Sequence, residues 1–285
     1  MNRLDAYIQL TRLNKPIGIL LLLWPTLWGL WIAADGLPPL LVLLVFVAGV
    51  VLMRSAGCII NDYADREVDR HVQRTAERPI TTGVVTPREA LLLFGVLVAI
   101  AFLLVLTLNR LTIMLSFGAV ALAIIYPFMK RFTHLPQIFL GAAFGWSIPM
   151  AFAAVSGAVP AGAWLLFTAT VCWSIVYDTM YAMVDREDDL KVGIRSTAIL
   201  FGNWDREIIG LFQLAMMLLL VFAGLEFQLG WHYYLGLVIA SVVGVYHQWL
   251  IRGREPTACF QAFLHNHWLG MTIFLGIALD RLVIA

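Results

Sequence analysis

Charged side chains are scarce in this sequence. Asp, Glu, Lys and Arg make up 13% of the 285 residues, whereas hydrophobic residues make up 61% and the mean hydropathy is +0.86. Soluble globular domains carry about 25% charged residues. The composition therefore excludes a water-soluble globule and predicts an all-α polytopic membrane protein that forms a single transmembrane domain over residues 1–285. The net charge of +1 gives no indication of nucleic-acid binding.

Cysteine and histidine are also few. The three cysteines are scattered, form no CxxC pair and predict no disulfide framework. The six histidines lack the spacing of zinc ligands, and the nearest candidate, His265-Asn266-His267, is more typical of a helix start. The sequence therefore predicts no metal site built from thiols or imidazoles.

Long apolar runs occupy most of the chain. A helix that crosses a bilayer needs about 20 mostly apolar residues, and turn signals such as Asp35-Gly36-Leu37-Pro38-Pro39 separate the runs. The first run is too long for the apolar part of a cleaved signal peptide. The sequence predicts nine spans, at 16–34, 40–60, 89–108, 111–128, 136–155, 161–182, 207–225, 232–250 and 263–281.

Basic residues are distributed unevenly between the two sides of these spans. If the N-terminus is cytoplasmic, 17 of the 19 Lys and Arg residues lie on the cytoplasmic side, and only Arg110 and Arg281 face outward. The positive-inside rule accounts for such an asymmetry. We therefore predict a cytoplasmic N-terminus and, with nine spans, a C-terminus on the opposite side. The two longest loops then face the cytoplasm.

Two acidic clusters of similar sequence lie at the cytoplasmic ends of spans 2 and 6. The windows 61–77 and 178–189 hold ten of the 18 acidic residues. Asp65-Arg66-Glu67-Val68-Asp69 matches Asp185-Arg186-Glu187-Asp188-Asp189 at an offset of 120 residues. Each cluster follows the second helix of a four-helix unit. This pattern predicts two four-helix pseudo-repeats plus one helix, with both clusters across one central cavity that opens near the cytoplasmic side.

Helical spacing places the polar residues of each cluster on one face, because residues four apart are neighbours on a helix. The first stripe comprises Asn61, Asp65 and Asp69, with Asp62 one step round the helix. The second stripe comprises Asp178, Tyr181, Asp185 and Asp189. Carboxylates this close repel one another and need cations. The pattern predicts Mg²⁺, which prefers carboxylate oxygens and is completed by water and substrate phosphates.

Basic groups follow both clusters on the same side. Arginine forks and lysine ammonium groups suit phosphate oxygens, and contact with an anionic ligand is favoured for Arg78, Lys130 and Lys191. Arg74 and Arg195 lie in the same two loops. The alternative is that these residues serve only membrane topology or touch anionic lipid.

Two further charged residues, Arg54 and Asp178, lie near the ends of apolar segments. A charge at the centre of a transmembrane helix costs about 2.5–3.5 kcal/mol on insertion scales, so such residues need partners or a wet cavity. Solvated surface charges do not explain them. We interpret both as site residues.

The sequence resembles the UbiA-type intramembrane prenyltransferases in three motifs: Asn61-Asp62-x-x-Asp65-x-x-x-Asp69, Tyr126-x-x-x-Lys130 and Asp185-x-x-x-Asp189. Asn14-Lys15-Pro16-Ile17-Gly18 and Gly145-Trp146-Ser147-Ile148-Pro149 resemble the branch of that family that acts on 4-hydroxybenzoate. The resemblance covers essentially the whole chain. It implies nine helices around a central cavity, Mg²⁺, an isoprenoid diphosphate, an aromatic acceptor and a role in ubiquinone biosynthesis at a bacterial inner membrane.

The resemblance also implies a reaction and its residues. A polyprenyl group passes from polyprenyl diphosphate to the ring carbon ortho to the hydroxyl of 4-hydroxybenzoate, and diphosphate is released. The carboxylates implied to hold Mg²⁺ are Asp62, Asp65, Asp69, Asp185 and Asp189. The residues implied to contact the diphosphate are Asn61, Arg78, Tyr126, Lys130 and Lys191. Arg54 holds either the aromatic carboxylate or a diphosphate oxygen, and Asp178 either accepts the ring proton or positions a partner.

Three other functions are open at this point. A cation-coupled transporter also uses paired intramembrane acids. In a transporter such acids are expected near the bilayer midplane, whereas the acidic clusters of this chain lie near the inner face. A membrane scaffold explains the hydrophobic bulk but not the repeated acidic motif. Within the same enzyme class, the acceptor can instead be a naphthoate, a homogentisate or a haem.

Overall fold

The computed structural model describes residues 2–71 and 75–284, and within these ranges the chain is helical and contains no strand. The α-helices are α1 (Arg3–Leu10), α2 (Ile17–Ala33), α3 (Leu40–Asp65), α4 (Pro87–Val105), α5 (Arg110–Met129), α6 (Pro136–Gly145), α7 (Ser147–Ser156), α8 (Ala161–Val192), α9 (Thr197–Phe201), α10 (Asp205–Glu226), α11 (Trp231–Leu250) and α12 (Pro256–Ile284). Short 3-10 helices cover Asp69–His71, Gly202–Trp204 and Ile251–Gly253. The predicted all-α class is confirmed for these residues. Arg74 lies outside them.

Eight helical segments of the described ranges are long and apolar enough to cross a membrane. They coincide with the second to ninth predicted spans. The first predicted span forms α2, which is apolar but has only 17 residues. The chain is therefore a multi-pass membrane protein with about nine spans.

The fifth span is bent at Trp146, between α6 and α7. Pro149 follows closely, and proline has no N–H to donate to the carbonyl of Gly145 four residues earlier. The Trp146 indole donates a hydrogen bond to the carbonyl of Leu115, at 2.8 Å, and so fixes the bend against α5. The span consequently approaches α3 and α8 as two short helices rather than one straight rod.

Two helices continue past the predicted ends of spans 2 and 6. Helix α3 runs on to Asp65, and α8 runs on to Val192, where Gly193 takes a left-handed φ of 72° and ends the helix. After Asp65 the chain turns, and Asp69 opens a 3-10 helix. Most acidic side chains of both clusters are therefore held on rigid helices. We call this end of the helix bundle, where Asp65 and Asp185 lie, the acidic end.

The tightest core lies between α2, α8 and α12. Trp28 stacks on Trp173 with ring centroids 5.4 Å apart, and the Trp28 indole donates to the carbonyl of Gly270 at 3.1 Å. The Trp173 indole donates to the Asn266 side chain at 3.0 Å, so both buried indoles have polar partners. Helices α4 and α5 bury much less of their surface, and a hollow lies between them and α3.

The histidines at 265 and 267 lie within α12, so the expectation that they mark a helix start is wrong. This helix begins at Pro256, nearly three turns earlier. Proline is tolerated at the first helical position, because the N–H that it lacks would have no partner within the helix there. His265 Nδ1 lies 3.1 Å from His247 Nε2. The three cysteines are buried and free.

A short helix that the sequence analysis did not predict, α1, precedes the first span. Its Ala6 and Leu10 are buried against Ile59 of α3. After α1 the chain turns at Arg12, which has a positive φ of 57°. The docked helix therefore places Arg12 beside Asp62 at the acidic end.

Candidate active site

One polar pocket lies at the acidic end, and both acidic motifs line it. The polar residues that α3 and its following turn contribute are Asn61, Asp65 and Asp69. The polar residues that α8 contributes are Asp178, Tyr181, Asp185 and Asp189. Two motifs that are 120 residues apart in sequence thus meet across one space.

Asp62 lies beside this shared pocket but does not line it. Its side chain is 1% exposed, and its two oxygens accept hydrogen bonds from the Arg12 guanidinium at 2.8 and 2.9 Å. Arg78 also lies 3.0 Å from Asp62 and donates to Asp69 at 2.7 Å. Asp62 lines a neighbouring cavity instead. The structure therefore shows Asp62 as the residue that holds two arginines in place.

Asp65 lies at the last residue of α3 and is 2% exposed. One carboxylate oxygen is paired with the Lys130 ammonium, which α5 presents just past its end. The other oxygen, Oδ1, is buried and makes no hydrogen bond. Tyr126 lies one turn before Lys130, and both line the pocket. Asp65 thus keeps one oxygen available for a further ligand.

Asp69 lies beyond the end of the span, among negative charge. Burial raises the pKa of its carboxyl, the adjacent Arg78 opposes this shift, and the charges of Asp65 and Asp62 raise the pKa further. The pocket therefore favours an added cation, because positive charge would relieve the repulsion among these carboxylates.

The opposite wall is one continuous helix, α8. Asp178 lies deepest in the pocket, and the side-chain amide of Gln137 on α6 faces it. Tyr181, Asp185 and Asp189 follow toward the end of the helix. The predicted helical stripe is therefore present.

A buried ion cluster holds the outer end of this wall. Asp205 is fully buried and is paired with Arg186 of α8. Its carboxylate also lies 2.9 Å from Arg254, which in turn donates to the carbonyl of Asn203 at 2.7 Å. The carboxylate at the start of α10 therefore ties α8 to the segment that precedes α12. This cluster was missed in the sequence analysis because its members are far apart in the chain.

Lys191 is not brought to the pocket. Its side chain is 70% exposed, and its ammonium pairs with Asp188 at 3.0 Å. Arg195 lines the pocket instead, and it donates to the carbonyl of Phe132 at 2.9 Å. The expected diphosphate contact of Lys191 therefore lacks the geometry that the other basic residues have.

We predict that Lys191→Ala leaves prenyl transfer within about twofold of the unsubstituted protein, since an exposed ion pair contributes about 1 kcal/mol or less. Lys130→Ala serves as the contrast, because it removes the ammonium that contacts Asp65. We expect it to lower the rate by about 100-fold. Initial rates of both purified variants test this contrast. Equal losses in the two would show that Lys191 reaches the ligand.

Two further cavities adjoin the pocket. One, of about 490 Å³, extends toward α1 and is lined by Arg12, Asn61 and Asp178 among others. The other is almost entirely apolar and lies between α3, α4, α5 and the bent fifth span. Tyr126 lines all three spaces, and Arg54 lines both of the additional cavities. The polar pocket and the apolar cavity are therefore adjacent and share part of their walls.

Arg54 lies where the polar and apolar cavities meet. Its Nη1 donates to the Cys58 sulfur at 2.9 Å, and its Nε is buried without a hydrogen-bond partner. The guanidinium lies 5.8 Å from the centre of the Phe144 ring. Gly18 of α2 packs directly against it, since a Cβ there would lie 2.1 Å from Nε. Arg54 is thus fixed in position with unused donor capacity.

The chemistry of the polar pocket fits Mg²⁺. Carboxylates and an amide line it, and these hard oxygen donors are what Mg²⁺ prefers. The orphaned Asp65 Oδ1 supplies a buried acceptor. Among the described residues, no three His, Cys, Asp or Glu side chains are grouped to hold a metal by themselves. Mg²⁺ needs no such cage, because it keeps waters and is completed by substrate phosphates.

Two polar residues of these cavities were missed as site residues. The sequence analysis used Arg12 only as one of the basic residues that set the membrane orientation. No sequence pattern near Arg12 predicts that α1 docks on α3. Gln137 carried a readable signal, since an amide in an apolar span needs a hydrogen-bonding partner.

The comparisons with known proteins agree with this arrangement. The model of the UbiA prenyltransferase family matches residues 22–270. The chain is 60% identical over 280 residues to the 4-hydroxybenzoate octaprenyltransferase of Saccharophagus degradans, and the match covers 98% of this chain and 94% of that protein.

Solved structures show the same fold. The apo structure of a UbiA homologue from Aeropyrum pernix matches with a TM-score of 0.82 and 28% identity, over 92% of this chain and 97% of that one. A UbiA homologue from Archaeoglobus fulgidus bound to GPP and Mg²⁺ matches with a TM-score of 0.72 and 17% identity, over 96% of this chain and 99% of that one. The long family match and the near full-length relative leave one conclusion: the chain belongs to the UbiA prenyltransferase family.

Proposed function

We propose that the protein transfers a polyprenyl group from polyprenyl diphosphate to the ring carbon ortho to the hydroxyl of 4-hydroxybenzoate, releasing diphosphate, in ubiquinone biosynthesis. The observation that carries this proposal is that a pocket lined by both acidic motifs lies directly beside an apolar cavity and shares wall residues with it. The substrate has the same division, with an anionic head and a long apolar tail. The relative from Saccharophagus degradans supports the choice of acceptor.

The diphosphate head belongs in the polar pocket. Arg78 and Lys130 line it and carry donors suited to phosphate oxygens, and Asn61 and Tyr126 add polar groups beside them. Both basic side chains now contact carboxylates of the first motif. They are therefore already positioned at the rim of the head site.

Mg²⁺ would be held by Asp65 and Asp69 on one wall and by Asp185 and Asp189 on the other. When bound, the metal supplies positive charge that offsets the charge growing on the departing diphosphate. Asp62 pairs with Arg12 and Arg78. Its proposed role is therefore to position these two guanidinium groups rather than to bind the metal.

The prenyl tail belongs in the apolar cavity. This cavity is lined by aliphatic and aromatic side chains of α3, α4 and α5, apart from the polar groups where it meets the head site and a few buried hydroxyls. Such a lining also keeps water from a reactive allylic cation, which water would otherwise capture.

The reaction exchanges one bond for another. The allylic C–O bond breaks and its electron pair leaves with the diphosphate, and the acceptor ring carbon then bonds to the allylic carbon. The ring proton must leave, and Asp178 would accept it. The position of Asp178 in the walls of both the head pocket and the cavity next to Arg54 supports this role. Arg54 would hold the acceptor carboxylate with its unused donors.

The proposed setting is a bacterial inner membrane, with the N-terminus and the acidic end in the cytoplasm and the C-terminus in the periplasm. The positive-inside asymmetry of 17 basic residues out of 19 supports this orientation. Soluble 4-hydroxybenzoate would then reach the site from the cytoplasm, while the lipid tail stays within the bilayer.

A cation-coupled transporter is not favoured. That function places its acids near the bilayer midplane, but Asp65 is the last residue of α3, and Asp185 lies in the terminal extension of α8. Membership of a prenyltransferase family also argues for the enzyme.

We expect the purified protein to convert octaprenyl diphosphate and 4-hydroxybenzoate into the ortho-prenylated acid with Mg²⁺ present, and to lose this activity with EDTA. Product is identified by chromatography and mass spectrometry. A panel of naphthoate, homogentisate and haem tests acceptor choice in the same assay. Preferred turnover of one of these, or transfer that continues in EDTA, would overturn the proposal.

A further inference from the structure

Two glycines in the middle of α3 have no packing reason to be glycine. Gly49 and Gly57 lie eight residues apart, and a Cβ built on either would meet no atom within 4 Å. Other glycines of the bundle are held by close contacts, such as Gly141, whose Cβ would lie 2.8 Å from the Val171 backbone. A glycine inside a helix costs about 1 kcal/mol relative to alanine, so these two positions give up helix stability without a packing gain.

Both glycines face the apolar cavity. They line it in a stripe with Val45 and Met53 at intervals of four residues, which is one face of the helix. Small residues such as Ala119 stand on the opposite wall. The missing side chains of Gly49 and Gly57 therefore leave two gaps in the cavity wall, one on either side of Met53. We call the part of the cavity along this face of α3 the groove.

The groove begins at the head site. Gly57 lines both the apolar cavity and the neighbouring polar one, and it lies one turn from Asn61, about 6 Å along the axis at 1.5 Å per residue. Gly49 lies twelve residues from Asn61, or about 18 Å. Any tail that enters from the head site passes Gly57 first and Gly49 later.

We propose that Gly49 determines the length of prenyl chain that the enzyme accepts. We also propose that the missing side chain of Gly57 leaves the space through which every prenyl tail enters the cavity. The inference rests on the proposed function, because it takes the occupant of the groove to be the tail of a prenyl diphosphate. A geranyl tail, with two isoprene units, ends before the level of Gly49. An octaprenyl tail extends well past that level, so it needs the space that the missing side chain of Gly49 leaves.

Leucine at position 49 should block the groove without harming the fold. Leucine is a strong helix former, whereas glycine is a poor one. The new side chain would point into apolar space that contains no atom within 4 Å of the Cβ. The variant is therefore expected to insert and purify like the unsubstituted protein.

The test compares initial rates with geranyl, farnesyl and octaprenyl diphosphates, 4-hydroxybenzoate and Mg²⁺. For Gly49→Leu we expect the octaprenyl rate to fall by about 10- to 100-fold, as overpacking of about 1–3 kcal/mol implies, while the geranyl rate stays within about threefold. For Gly57→Leu we expect all three rates to fall together. Gly49→Ala should show a smaller loss in the same direction.

Gly95 provides the matched control. It lies in α4, is exposed, has no atom within 4 Å of a built Cβ, and lines none of the three cavities. Gly95→Leu should leave all three rates unchanged. The proposal on Gly49 is overturned if Gly49→Leu and Gly49→Ala lose geranyl and octaprenyl transfer equally or retain both. If the unsubstituted protein transfers no prenyl group of any length, the proposed function itself fails, which is a different result.

Discussion

Replacing Asp185 by asparagine should abolish prenyl transfer while the protein still inserts and folds. Asp185 lies on the α8 wall of the head pocket, across from Asp65. The substitution keeps the size of the side chain but removes a negative charge that Mg²⁺ requires. Losses of about 100- to 1,000-fold follow when one preorganised electrostatic group is removed from an active site. Initial rates over a range of Mg²⁺ concentrations measure the effect.

The matched control for this substitution is Asp188→Asn. Asp188 lies three residues further along the same helix, but it pairs with the exposed Lys191 and does not line the pocket. Removing its charge should leave the rate and its Mg²⁺ dependence nearly unchanged. Near-normal turnover in Asp185→Asn, or equal losses in both variants, would contradict a metal and diphosphate site between the two acidic motifs.

The acidic stripes could be predicted because helical spacing is a local property. Asn61 and Asp65 are four residues apart, so they share a face wherever the helix lies. The same rule explains Asp62. One residue further along an α-helix is a rotation of about 100°, which sets Asp62 off the face that Asn61 and Asp65 share and beside Arg12. The spacing predicted that Asp62 lies off the face of Asn61 and Asp65, but it did not predict which residue Asp62 contacts.

Lys191 illustrates where such reasoning failed. The sequence analysis ended the sixth span at 182, followed helical spacing only as far as Asp189, and expected Lys191 to contact a ligand from the loop beyond. Helix α8 instead continues to Val192. Within a helix, Lys191 stands about 200° round from Asp189, so it faces Asp188 and solvent.

Contacts between distant segments were beyond prediction from one sequence. The docking of α1, which brings Arg12 to the site, depends on small buried contacts such as that of Ala6 with Ile59. The cluster around Asp205 joins Arg186 and Arg254, which are 68 residues apart in sequence. Neither the docking of α1 nor the cluster around Asp205 is marked by a periodic pattern in the sequence. The break at Trp146, by contrast, could have been predicted from Pro149.

Arg54→Gln should raise the KM for 4-hydroxybenzoate by about 100-fold and leave the KM for the diphosphate little changed. The guanidinium is fixed at the junction of the cavities, with Cys58 as its hydrogen-bonded partner and Nε unused. A planar guanidinium matches a carboxylate with two parallel hydrogen bonds. Two charge-assisted bonds contribute about 3 kcal/mol, which corresponds to about 100-fold in affinity.

An acceptor that lacks a carboxylate distinguishes a role of Arg54 in binding the acceptor from a purely structural role. If Arg54 holds the acceptor carboxylate, Arg54→Gln and the unsubstituted enzyme should prenylate phenol equally poorly, because phenol has no group for the guanidinium to bind. Arg54→Lys should restore only part of the affinity, since an ammonium cannot form the paired contact. A rise in the KM for the diphosphate instead would place a phosphate oxygen at Arg54. The acceptor carboxylate would then have to bind elsewhere in the cavity. Asp178 lines the same cavity as Arg54, and a carboxylate would not bind next to Asp178 without another cation.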